Sequence, residues 1–232
     1  MPRNMAPANI SSVQDLVQYN VADAAAVDLN APPGYIERYI HSEIYRRFPG
    51  VKSVIHSHAS TVIPYSITGV PLRACLHMTE FLGATTPVYD IAKYYESDST
   101  RDLVIRNGHL GESLAACFGD SLEDTNQSES GVNDLKHSVV LMRGHGYTVA
   151  SQGIEEYVYK AIYARENAAV QSTSLGLLAA YDSASGGRVP DIVSIHNDEL
   201  VATGSIARTA WGRVWSLWVR EVQAVGLYVH DD

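Results

Sequence analysis

The residue types that could do chemistry gather in two short stretches, "SVIHSHAS" (53–60) and "MRGHG" (142–146). Side chains two apart on a strand leave from one face, so His56 and His58 converge on one point while Ser57 turns away. Neutral imidazoles are good ligands for Zn, Mn, Fe or Co. An HxH pair alone is more often two surface or hydrogen-bonded core histidines than a metal site. His145 shifts that balance, because it sits between Gly144 and Gly146 in the turn of a strand pair, where small neighbours let an ion or ligand come close to the backbone. A polar turn residue would explain the histidine but not both glycines. With three histidines at strand ends, an open metal site, with a position left for water or substrate, is the expectation to set beside the structural one.

The elements that must hold these residues can be read from periodicity. "IERYIHSEIYRRF" (36–48) spaces Ile36, Tyr39, Ile40, Ile44 and Phe48 as on a helix, and Pro49-Gly50 stops it. "VKSVIHSH" (51–58) has the composition of a strand. "ACLHMTEFLG" (74–83) is expected as a short helix ending at Gly83, and "TTPVYDI" (85–91) as a strand. "LVIRNGHLGESLAACFGD" (103–120) reads as a short strand and a helix closed by Gly119. The polar segment 121–138 reads as an exposed loop. "SVVLMRGHGYTVAS" (138–151) gives two apolar strands hinged on 144–146. An amphipathic helix comes next, from about Ile154 to Leu175, with Tyr157, Ala161, Ala164 and Ala168 near one face. Nothing repeats, and no linker divides the 232 residues, so residues 1–232 are expected to form one α/β domain.

Composition excludes several classes of function. Twenty-six acidic against seventeen basic residues leave a net charge of −9 with no Lys/Arg block, which argues against nucleic-acid binding. No apolar run approaches the roughly 20 residues needed to cross a bilayer, and the first twelve residues lack the hydrophobic segment of a secretory signal. A cytoplasmic protein without membrane contact is expected. Cys75 and Cys117 show no CxxC spacing and read as free thiols.

"ERYIHSEIYRRFPGVKSVIHSHAS", "MTEFLGATTPVYDI" and "VLMRGHGYTVASQGIEEYVYKAIYARENAA" resemble the class II aldolase/adducin superfamily, across most of residues 1–175. The resemblance implies an α/β fold with a central, mainly antiparallel sheet flanked by helices. It also implies one divalent ion, with His56, His58 and His145 as ligands; Zn stands first, with Mn, Fe, Co or Mg as alternatives. Glu37, nineteen residues before His56, falls at the family's catalytic acid/base and occasional fourth ligand. By residue type alone, a glutamate at a helix start is accounted for by capping and the helix dipole. Relatives commonly form tetramers, so a homotetramer is expected.

Two departures from the sugar-phosphate aldolases stand out. The N-terminal part of the family fold, with its phosphate-holding loop, is expected to be missing, since "MPRNMAPANISSVQDLV" resembles the strand and turn that come after that loop. The aldolase tyrosine after the HxH strand is replaced by the neighbourhood of Ala74 to Met78. "PLRACLHMTEFLG" with His77, "MRGHG" with Arg143 and "YARENA" with Tyr163 and Glu166 look more like the branch that includes 3,4-dihydroxyphthalate and 2-hydroxy-3-carboxymuconic semialdehyde decarboxylases. His77 would then donate a proton, or else cap a short helix; Arg143 would bind a substrate carboxylate, or else pair with a neighbouring acid; Tyr163 would touch substrate, or else pack. The "TAWGRVWSLWVREVQ" region places Trp211, Trp215 and Trp218 on one face of a helix spanning about 205–225, as a helical core or subunit contact does. "LYVHDD" at the end resembles a tail that reaches the active site in some relatives. The expected activity is metal-dependent, non-oxidative decarboxylation of a hydroxylated aromatic or enol/keto carboxylic acid. A metal-dependent retro-aldolase, an Fe(II) oxygenase and a non-catalytic adducin-like scaffold are the alternatives.

Overall fold

Val139, Val140, Leu141 and Met142 are all buried, which requires a strand covered on both faces, and the sheet around it meets that requirement. The structure, a computed structural model, describes residues 1–119, 135–185 and 191–228. Four strands, β1 (Ser53–Ser57), β2 (Val88–Tyr89), β3 (Val139–Met142) and β4 (Gly146–Ser151), line up in the order β1-β4-β3-β2. β4 runs antiparallel to both of its neighbours, pairing His56 with Thr148 and Ser57 with Tyr147. β2 is parallel to β3. The sheet is therefore mainly antiparallel.

Helix α1 (Arg38–Arg47) and α3 (Gly108–Ala116) cover one face. Ile40, Ile44 and Phe48 bury with Leu110 and Leu114 against Val54, Val140, Met142 and Ala150. The two helices cross closely at Gly111, where an added Cβ would lie 2.6 Å from the Tyr39 carbonyl oxygen. The short α2 (Ile63–Ile67) and the long α4 (Ile154–Ser185) cover the opposite face. There Ala161, Ala164 and Ala168 of α4 pack with Val139, Leu141, Tyr147 and Val149. α5 (Asn197–Val225) lies on α4, with ring centroids of Tyr159 and Trp211 at 6.4 Å and of Tyr163 and Trp218 at 6.3 Å. Part of the tryptophan face is thus covered within the chain.

Several elements differ from the sequence expectation for local reasons. α1 begins at Arg38, leaving Ile36 exposed outside it. The expected helix over 74–83 is only a 3-10 turn at Glu80–Leu82, closed by Gly83 at φ +63. Asn167 of α4 is the cause: its buried amide accepts from Cys75 N at 2.8 Å and Leu76 N at 3.1 Å and donates to the Arg73 carbonyl at 2.7 Å. Those backbone groups are pegged to α4 instead of to one another. The strand expected from residue 103 does not form, because Leu103 adopts φ +67, outside strand conformation. α4 extends ten residues beyond Leu175, and α5 starts at Asn197 rather than near 205, where the Glu199 side chain accepts from His196 N at 2.9 Å. Most of the polar segment 121–138, and the tail with His230, lie outside the described residues. Among the described residues no helix is long and apolar enough to cross a membrane.

Candidate metal centre

β1 carries His56, and His58 stands one residue past its end. The 144–146 turn brings His145 to the same end of the sheet. Gly144 sits at φ +66 and Gly146 at φ +149, conformations that favour glycine. A Cβ on Gly146 would lie 2.1 Å from the Ser57 carbonyl oxygen, so its absence lets the turn close onto the end of β1. Both glycines of the motif therefore have a geometric role in bringing His145 to His56 and His58. The three rings stand with centroids 4.6 to 4.9 Å apart.

Glu37 completes the cluster. It occupies the N-cap position of α1, yet its side chain caps nothing. The carboxylate instead turns to the histidines, with Oε2 3.7 Å from His56 Nε2 and Oε1 3.7 Å from His145 Nε2. Oε1 also accepts from Ile105 N at 3.3 Å. One donor atom from each of Glu37, His56, His58 and His145 lies within 4.8 Å of the other three.

The donor chemistry fits a divalent cation. His56 Nδ1 lies 3.2 Å from the Tyr147 carbonyl oxygen, which can only accept, so the Nδ1 proton is committed there and Nε2 carries the lone pair. Burial, with smaller contributions from His145 and His58, pushes its pKa down to about 3, so the ring is neutral at pH 7. Burial also lowers the His145 pKa, against a smaller raising by the Glu37 carboxylate. His56 Nε2 and His58 Nε2 stand 2.9 Å apart, a separation that needs a proton or a cation between two imidazole nitrogens. Three imidazoles gathered beside a carboxylate are a donor set that a divalent ion takes.

The other expected site residues lie outside this cluster. His77 is exposed in a turn of the segment pegged by Asn167. Arg143 is paired through Nε with Asp90, and the guanidinium holds the Asp90 carboxyl below the usual carboxylate range. Tyr163 packs at 4.6 Å on Tyr159 in the α4–α5 seam. A cleft of about 510 Å³ opens beside His58, walled by Ile55, Ser57, Tyr147, Ala161, Ile162 and Arg165. Sequence reasoning missed Arg165, although it stands inside the "YARENA" stretch; beside Glu166 on a helix it reads as a solvated charge pair. The Leu103 turn and the Ile105 amide next to Glu37 carry no mark in the sequence.

Comparison with known proteins identifies the family and the fold. The family model described as Class II Aldolase and Adducin N-terminal domain matches residues 1–172. The chain is 48% identical over 230 residues to Decarboxylase tropJ of Talaromyces stipitatus, covering 99% of this chain and 83% of that protein. It is 26% identical over 214 residues to a 3,4-dihydroxyphthalate decarboxylase of Arthrobacter keyseri, covering 85% and 75%. Among solved structures, an L-fuculose 1-phosphate aldolase superposes with a TM-score of 0.58 at 14% identity, covering 89% of this chain and 78% of that one. An aldolase II superfamily protein from Pseudomonas syringae gives the same TM-score at 18% identity, covering 94% and 74%.

Proposed function

The chain belongs to the class II aldolase and adducin family, and from that premise we propose that it is a lyase that decarboxylates a hydroxylated aromatic or enol/keto carboxylic acid without oxidation. What carries the reading is the convergence of Glu37 with three imidazoles in a chain so similar to decarboxylases. His56, His58 and His145 would hold one divalent ion; three nitrogen donors favour zinc, with Mn, Fe or Co next and Mg, which prefers oxygen, last. Once bound, that ion would supply an electron sink for the charge left on carbon when carbon dioxide departs.

The chain's own groups would do the rest. Loss of carbon dioxide leaves an electron pair that must take a proton. Glu37, hydrogen-bonded at Oε1 by the Ile105 amide, leaves Oε2 to carry that proton, and His77, exposed on its turn, is the second proposed donor. Arg143, whose charge Asp90 already balances, would hold the departing carboxylate only loosely, as its neutralisation in the reaction requires. Tyr163, its ring committed to the α4–α5 seam, would contribute only its hydroxyl. Exposed Leu177, Val201, Ile206 and Leu217 on the two long helices support a homotetramer; light scattering that returns a monomer would count against it.

Incubation with candidate acids under strict anaerobiosis tests the reaction. Carbon dioxide without an aldehyde is the expected result. An aldehyde fragment would mean retro-aldol cleavage at the same centre, turnover only in air would mean an oxygenase, and neither metal nor turnover would mean a scaffold.

A further inference from the structure

We propose that the cleft beside His58 seats the organic part of the substrate, and that Arg165 binds an anionic group on it that survives the reaction. The inference rests on the reading of His58 as a metal ligand. His58 stands on the wall of the cleft, whose volume of about 510 Å³ falls in the range of small-molecule sites and accommodates a substituted aromatic ring with water. Ile55, Ala161 and Ile162 offer an apolar wall, and Ser57, Ser60 and Thr61 a polar one. The Thr61 hydroxyl is buried without a hydrogen-bond partner.

Arg165 is the one cation among the lining residues, in a chain of net charge −9. Apart from an ion held at His58, an anionic ligand therefore meets a matching charge among the lining residues only there. The guanidinium pairs with Glu166, the next residue of α4, at 3.1 Å, and the two side chains are 53% and 50% exposed. Such a pair contributes little and is readily exchanged for a ligand carboxylate, which a guanidinium can grip with two parallel hydrogen bonds.

The chemistry decides which anion this is. In decarboxylation the bond from carbon to the carboxylate breaks, its electron pair stays on carbon and is taken up by a proton, and carbon dioxide leaves uncharged. A guanidinium gripping that carboxylate would stabilise the starting anion more than the transition state and slow the step. A second anion, which keeps its charge throughout, can be held without that loss. Arg165 therefore selects acids that carry a second anionic group away from the chelating oxygens.

Calorimetric titration of the zinc-loaded protein with catechol and with 3,4-dihydroxybenzoate, which differ by one carboxylate placed away from the chelating hydroxyls, reads this directly, with the second probe checked for the absence of released carbon dioxide. Wild type is expected to bind the carboxylated probe at least about 10-fold more tightly, the size expected of a charge-assisted bidentate contact. Arg165→Met removes that preference while leaving catechol affinity and the melting temperature unchanged, and Arg165→Lys recovers part of it. A preference that persists in Arg165→Met, an equal loss for both probes, or no binding of either by wild type would overturn the proposal. Failure of every acid to release carbon dioxide, with the probes still discriminated, would sink the decarboxylase reading alone.

Discussion

On the face of the sheet covered by α1 and α3, β1 and β4 present His56 opposite Thr148; on the face covered by α4, they present Ile55 opposite Val149, and the Tyr147 ring one residue further along. Both faces pack an apolar core; the first also carries His56 with its polar neighbours, and the second has a cleft at its margin. Tyr147 serves both: its backbone carbonyl orients the His56 ring, while its hydroxyl donates to the Ala161 carbonyl of α4 at 2.7 Å. Because strand side chains alternate, chemistry and packing can occupy the same two strands without competing for positions. Where the two strands pair, substitution of His56 should then act on metal and turnover, and substitution of Ile55 or the Tyr147 ring on stability.

The largest effect is expected from replacing His56, His58 or His145 with Ala. Each variant should lose its bound metal and about 10³-fold or more in turnover while keeping its fold; elemental analysis showing full occupancy in two of the three would remove the centre. Glu37→Gln comes next. It should retain most of the metal and lose about 10²-fold or more in turnover, as for a lost acid/base, and wild-type rates would return Glu37 to a merely structural role.

Acid should weaken the α1 side specifically. His41 on α1 and His56 on β1 are held at about 4 and about 3 from a usual 6.5, both mainly by burial. Between those values and 6.5 the native state binds fewer protons than the unfolded chain, so this stability is present in full above pH 6.5 and is lost as pH falls through the window. Each group contributes up to about 1.4 kcal/mol per pH unit. Urea unfolding of the metal-free protein from pH 6.5 to 4.5 should show the decline, and His41→Leu should flatten it; a pH-independent midpoint would contradict the assignment. The smallest effect belongs to the α4 face. Tyr147→Phe removes one buried hydrogen bond and should cost about 1 kcal/mol with metal occupancy unchanged, so a fall in occupancy would erase the distinction between the faces.

The convergence of the three histidines was largely legible in the sequence because each motif sets its own local geometry. A strand of period two makes His56 and His58 converge, and the glycines around His145 answer to positive φ and to the Ser57 carbonyl. Glu37 was legible only through the family resemblance, since a glutamate at a helix start has a simpler explanation. Groups that act across the fold were hidden. Nothing in the sequence distinguishes Asn167, whose buried amide turns an expected helix into a pegged loop, from a solvated asparagine. Arg165 is hidden for a similar reason, because its neighbour Glu166 supplies a sufficient local partner.

The pairing of β1 with β4 also sets an order in time. His56 and His58 leave the ribosome with Glu37 nearby, but His145 emerges 87 residues after His58, a delay of roughly 4–17 seconds at about 5–20 residues per second. Through that interval the nascent chain displays two imidazoles and a carboxylate without the third imidazole, and β1 has no β4 to lie against. If the proposed centre holds an ion, a passing ion can be held only weakly then, and the choice among metals falls to whatever the cell has available once β4 closes against β1.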